Sequence, residues 1–269
     1  MRVFDAAGTP LIEELAEYRQ YGDLFFFLTL RDIRLRYRQT LLGVAWAIVQ
    51  PLLPMLIFAV IFSRFLRPET SGIPYPLFIF TGLTLWTVVA SSILAGSTAF
   101  ISNYSLLNKV YFPRAILPMA TVAACAFDGL IAGAVAMAVT CFYGYFPSAW
   151  WLLLPVIALW IVVLATAATL LAASLTVAFR DTKNVIPFLV QMWMYSTPVL
   201  YPASLIPRPL RLLAGANPMA GPLEAFRACM FHTTPEWRVI VESGVSLAVL
   251  IVVAVSVYRS VEAHLAERA

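Results

Sequence analysis

Charge is the first thing this sequence lacks. Lys, Arg, Asp and Glu make up 12% of the 269 residues, against 61% hydrophobic ones. An ordinary soluble domain carries about 25% charged residues. A soluble globule of this length buries a large core but still needs a polar surface, and these charges are too few to make one. Lipid removes that need, so the chain reads as an all-α polytopic membrane protein. Its net charge of +4 then concerns orientation in the bilayer, and no nucleic acid partner is expected.

Cysteine and histidine are also scarce. Cys125, Cys141 and Cys229 are odd in number and widely spaced, with no C-x-x-C pair, which argues against a disulfide framework or a zinc ribbon. Cys125 and Cys141 lie in apolar runs and read as small core residues. The two histidines, His232 and His264, lack metal-ligand spacing, and no third ligand joins Cys229 and His232. A membrane enzyme acting on a lipid-linked sugar would show clustered acids or His–acid pairs. An ion-coupled transporter would carry ionisable groups in several spans or repeated halves. Here Asp128 is the one acid deep inside an apolar run and no repeat is visible. No G-x-x-x-x-G-K-[ST] phosphate loop occurs, so no catalytic or cofactor site is expected in this chain. The first ten residues lack a basic stretch followed by an apolar one, so no cleavable signal peptide is expected.

Long hydrophobic runs are abundant. A spanning helix needs about 20 mostly apolar residues. Six segments qualify: roughly Leu41–Phe62, Tyr75–Phe100, Ala115–Tyr143, Trp150–Phe179, the shorter Val185–Tyr201, and Val239–Tyr258. With the N-terminus inside, the inner side holds Arg2, Arg19, Arg31, Arg34, Arg36, Arg38, Lys109, Arg114, Arg180, Lys183, Arg259 and Arg268. Only six of the 18 Lys and Arg fall outside. The positive-inside rule therefore predicts both termini in the cytoplasm.

Two stretches stand apart. Within the first forty residues, Phe26, Leu30, Ile33 and Tyr37 recur at helical spacing beside Arg31, Arg34 and Arg38. This predicts an amphipathic helix in the interface plane, with Leu41–Gly43 turning into the first span. Between spans five and six, six of the 18 prolines fall from Pro198 to Pro222, among persistent apolar stretches. Proline breaks helices, and non-helical backbone at membrane depth survives only under protein or around water. Two short re-entrant helices are expected over about 203–231. The predicted layout is thus residues 1–40 as N-terminus and interface helix, and 41–269 as a six-helix transmembrane domain.

Four stretches, in order, resemble the ABC-2 type permeases that export polysaccharides such as O-antigen, teichoic acid and capsule. They are Arg36–Leu53 (RYRQTLLGVAWAIVQPLL), Asn108–Pro118 (NKVYFPRAILP), Ala178–Pro202 (AFRDTKNVIPFLVQMWMYSTPVLYP) and Asn217–Arg227 (NPMAGPLEAFR). The resemblance implies an inner-membrane homodimer around a channel and two separate ATP-binding subunits that hold ATP and Mg. The implied cargo is a glycan on polyprenyl diphosphate, O-antigen foremost.

The resemblance also assigns roles to residues. It puts the coupling helix in Ser105–Arg114, where Lys109 and Arg114 offer polar contacts and Tyr111 and Phe112 fill a groove on the ATPase. Arg180 and Asp181, with Lys183, suit either a second ATPase contact or a solvated turn. Arg31, Arg34, Arg36 and Arg38 suit a diphosphate or, equally, bulk anionic lipid. Trp46, Trp86, Trp193 and Tyr195 are candidates for a channel lining that lets a glycan slide. Asn217 and Pro218 match an Asn-Pro motif. Glu224 and Arg227 follow in the same motif, three apart on one helix face, and this pair is expected to hold an outer gate. Asp128, beside Ala126, Gly129, Ala132 and Gly133, is expected to bond between close helices, with a pore position as the alternative.

Overall fold

The computed structural model describes residues 20–38, 43–65, 72–107, 109–179, 181–202, 205–206 and 215–267, and among them the secondary structure is helical, with no strand. Helix α1 is Gly22–Tyr37. A short turn of 3-10 helix, Gly43–Ala45, leads into α2, Trp46–Phe65. Helix α3, Tyr75–Gly96, stops at Ser97–Thr98, and the short α4 (Ala99–Ser102) and α5 (Tyr104–Leu107) follow. Helix α6 is Ile116–Phe142, and α7, Leu154–Ala178, extends a 3-10 turn at Ala149–Leu153. Then come α8 (Thr182–Ser196), α9 (Ala220–Phe231) and α10 (Trp237–Glu267).

Among the described residues four helical stretches are long and apolar enough to cross a bilayer: Tyr75–Gly96, Ile116–Phe142, Ala149–Ala178 and Trp237–Glu262. Their bounds fall close to those read from hydropathy for spans two, three, four and six. The other two expected spans correspond to α2, with 20 residues, and α8, with 15. At 1.5 Å per residue α8 is roughly 22 Å long, less than a hydrocarbon core of about 30 Å.

Helix α3 is the hub. In its most apolar stretch 78% of residues are buried, against 11% in α10. It packs against α2, α6, α7, α8 and α9. Small residues let the backbones approach: a methyl on Gly129 of α6 would sit 2.3 Å from Val88 of α3. Gly96, at the other end of α3, meets Thr169 of α7 and lies close to Thr121 near the start of α6. Helix α6 therefore runs opposite to α3 and α7 runs with it.

Helix α1 does not lie free. Leu28 is buried, with Tyr21, Leu24 and Phe25 beside it, in a cluster that includes Phe100, Phe112, Ile116, Leu117, Ala120 and Tyr258. The packed face is therefore rotated away from the stripe read from the sequence, and Phe26 and Phe27 remain exposed. Of the two re-entrant helices expected over 203–231, residues 203–204 and 207–214 lie outside the described residues. The later part forms α9, whose Leu223, Phe226, Cys229 and Met230 enter the main core between α10, α7 and α3.

Candidate functional site

At one end of the bundle, residues 109–115 link α5 to α6. Lys109 is exposed and Tyr111 is 69% exposed, whereas Phe112 is only 4% exposed, inside the chain's own cluster. Tyr111 thus stands at the surface, and Phe112 anchors the segment that carries it. Arg114 is half-buried. The backbone N–H of Ala115 donates to the Tyr258 hydroxyl at 3.1 Å, and that hydroxyl donates to Glu262 at 2.7 Å. Tyr258 also stacks on Phe100. Sequence reasoning missed Tyr258, which is one aromatic among several near the end of a span. Asp181 is exposed just before α8, and Arg180 lies outside the described residues.

The four arginines of α1 part company. Arg34 and Arg38 are exposed. Arg31 pairs with Asp32 at 2.9 Å and donates to Asn103 at 2.9 Å. Arg36 turns inward and ion-pairs with Asp128 of α6, while its other terminal nitrogen lies 3.1 Å from the Cys125 sulfur. Tyr37 donates its hydroxyl to the second oxygen of Asp128. Burial, and then that hydrogen bond, hold the Tyr37 hydroxyl above its ordinary pKa. Asp128 thus bonds between helices, with α1 as its partner. The same carboxylate lines a small cavity with Gln50, Thr87, Ser91 and Gly129.

At the other end, α9 is locked to the turn after α8. Arg227 is 6% exposed. Its guanidinium donates to the carbonyls of Pro198 at 2.8 Å, Val199 at 2.9 Å and Phe78 at 3.3 Å. It lies over the Phe78 ring, an arrangement worth about 2 kcal/mol or more when desolvated. Gly82 leaves the room, since a methyl there would stand 2.8 Å from both the guanidinium and the Val199 carbonyl.

Glu224 and Arg227 lie three apart in α9. No ion pair joins them, because three carbonyls claim the guanidinium, and Glu224 instead accepts a long bond from the Glu236 amide at 3.4 Å. Asn217 ties the same parts together. It accepts from the Trp193 indole at 2.9 Å and the Met219 amide at 3.0 Å, and donates to Thr197 at 2.8 Å. Pro218 follows it in the turn before α9.

Of the four aromatics, Trp86 and Trp193 meet edge to face, with centroids 5.6 Å apart. Trp86 is buried and Trp193 half-buried. Tyr195 is exposed and accepts from Gln191 at 3.2 Å, and Trp46 is exposed at the start of α2. No ring contact among the described residues joins these two to the tryptophan pair. Helix α8 buries little beyond Ile186 and Val190, leaving Val185, Phe188, Leu189 and Met192 exposed around the Gln191–Tyr195 pair. The arrangement comprises an exposed edge at residues 109–111, a helix α1 tied to α6, an α9 locked to the turn after α8, and an exposed Gln191–Tyr195 pair among apolar side chains of α8. Among the described residues no three His, Cys, Asp or Glu side chains group to hold a metal.

Residues 23–231 match the family described as ABC-2 type transporter. The O-antigen export system permease protein RfbA of Myxococcus xanthus is 30% identical over 260 residues, covering 96% of this chain and 99% of that one. An O-antigen export system permease protein RfbA of Klebsiella pneumoniae is 28% identical over 246 residues, with coverages of 91% and 94%. The polysialic acid transport protein KpsM of Escherichia coli is 26% identical over 205 residues, with coverages of 74% and 78%.

Proposed function

This chain belongs to the ABC-2 type transporter family, and from that premise we propose that it is the permease subunit of an ATP-driven exporter of lipid-linked polysaccharide. The cargo is an O-antigen-type glycan on polyprenyl diphosphate, carried from the cytoplasmic to the outer face of the inner membrane. The likeness to a polysaccharide export permease from end to end carries this reading. The relative named for polysialic acid transport makes a capsular glycan the second reading.

The working unit is two copies of this chain with two ATP-binding subunits, which hold the ATP and Mg. Helices α2, α3, α6, α7, α8 and α10 are its six spans, α9 is re-entrant, and both termini are cytoplasmic. The Lys and Arg distribution supports that orientation. Lys109, Tyr111 and Arg114 meet the ATPase, Phe112 holds them from within, and Arg180 and Asp181 add a second contact. Arg34 and Arg38 meet the diphosphate or the surrounding anionic headgroups, with Arg31 and Arg36 behind them.

Helix α8 lines the channel. A Gln–Tyr pair facing hydrocarbon leaves the Gln191 carbonyl and the Tyr195 hydroxyl proton unsatisfied, whereas one facing a water-filled path satisfies them and offers a flat ring to sugar C–H surfaces. The exposure of Gln191 and Tyr195 among the apolar side chains of α8 supports that assignment. Trp193 and Trp86 stand behind Tyr195, and Trp46 lines the inner entrance. The Asn217–Pro218 turn and Arg227 hold the outer gate shut, with Glu224 at its rim.

The test is reconstitution of this chain with its ATPase in vesicles loaded with a lipid-linked glycan. Vanadate-sensitive movement of the glycan to the opposite leaflet is expected. Failure of any ATPase to co-purify, or movement that does not need this chain, overturns the reading.

A further inference from the structure

We infer that α1 and α6 move as one rigid body, tethered by Asp128 and Asp32, so that force received at 109–115 shifts the arginines of α1. This inference rests on the coupling role proposed above.

The tether has two levels. At the first, Asp32 binds Arg31 through one oxygen and accepts from the Thr121 hydroxyl through the other at 3.1 Å. Arg31 continues to Asn103, whose amide nitrogen donates to the Ala99 carbonyl at 2.8 Å. At the second, Arg36 and Tyr37 take one oxygen each of Asp128. Thr121 and Asp128 lie seven positions apart on α6, roughly 10 Å along the axis. Two separated anchors prevent pivoting about either one, and Leu28 fills the space beside the first with apolar contact.

These tethers resist opening. Pulling α1 away strips Asp128 of its countercharge inside a span, the situation in which a buried charge is most costly. Helix α1 packs extensively on α6 and hardly on α2. The stiff attachment of α1 is therefore to α6, at Asp128. Residues 109–115 lead directly into α6, so a displacement there carries α1 and its exposed Arg34 and Arg38. Asp128, Arg36 and Tyr37 are positioning residues, because they act through α1.

Spin labels at Leu35 and Leu130, both exposed, report the α1–α6 distance in the complex with its ATPase. The expected result is one distance in nucleotide-free and vanadate-trapped complexes, and a nucleotide-dependent shift once Asp128→Asn is introduced. In that variant, glycan exported per ATP hydrolysed falls by roughly fivefold or more, and exchanging the charges (Arg36→Asp with Asp128→Arg) restores at least part of it. A nucleotide-dependent shift in the unmodified tether overturns the inference, and this arm stands even if Asp128→Asn does not fold. An unchanged distance and unchanged export per ATP in a folded Asp128→Asn overturn the role of Asp128. Absence of ATPase binding to the unsubstituted chain defeats the proposed function instead, so the two failures are distinguishable.

Discussion

Arg227 lies with its guanidinium carbon 3.5 Å from the centroid of the Phe78 ring, joining α9 to the first turn of α3. The contact is buried, and the same guanidinium caps the turn after α8 through two carbonyls. A planar, forked donor is required here, which lysine does not supply. Arg227→Lys is expected to destabilise the protein by about 2 kcal/mol or more, since carbonyls lose their donors away from water. Thermal unfolding in detergent measures the change.

Gly82 and Arg227 are coupled by the same geometry. Gly82→Val intrudes on the guanidinium and the Val199 carbonyl and is expected to cost about 1–3 kcal/mol by overpacking. Combined with Arg227→Ala, which opens space, the costs are expected to fall short of their sum by at least about 0.5 kcal/mol. Strict additivity would show that the two side chains do not compete for one volume.

Adjacent aromatics in the proposed coupling segment are expected to behave oppositely. Tyr111→Ala leaves stability within about 1 kcal/mol, as surface changes usually do, but lowers the ATPase recovered with the permease. Phe112→Ala costs about 3–5 kcal/mol, because it empties a core position. Lys109→Glu with Arg114→Glu also weakens ATPase recovery. Quantified co-purification and melting curves separate the two effects.

Tyr258→Phe removes one oxygen and leaves the buried Ala115 N–H without its acceptor. The expected cost is about 1–3 kcal/mol, expressed locally. Hydrogen exchange at residues 115–117 becomes faster while that of α3 stays slow.

Asn217→Ala deprives the Trp193 indole, the Met219 amide and the Thr197 hydroxyl of their partner at once. On the proposed reading it opens the outer gate. Vesicles holding the resting complex then leak a small hydrophilic tracer faster than the unsubstituted protein. Equal leak rates would count against a gate at Asn217.

Much of the helical layout is legible in the order of residues. Long apolar runs mark four helices to within a few residues, because the bilayer imposes a length and a composition on any helix that crosses it. Pro198 and Pro202 mark the end of α8 at Ser196, because a proline brings no N–H to extend a helix. Phe112 and Tyr111 are not distinguishable that way. Both are aromatic, they are adjacent, and only the direction of the backbone entering α6 sends one inward. The Glu224–Arg227 spacing is equally misleading: a shared helix face makes contact available, but three carbonyls of another segment compete better for a guanidinium.

What the sequence by itself determined is a solvent and a set of lengths: too little charge for water, helices long enough for lipid, and cations gathered on the segments assigned to one side. What only the tertiary structure decided is partnership. Asp128 meets Arg36 and Tyr37, and Arg227 meets Phe78, Pro198 and Val199. Hydrophobic burial depends on composition and periodicity along one segment, so it leaves a local record. A charge taken out of water must find its complement wherever packing brings one, here across 92 residues in one case and 149 in the other, and no local pattern records that choice.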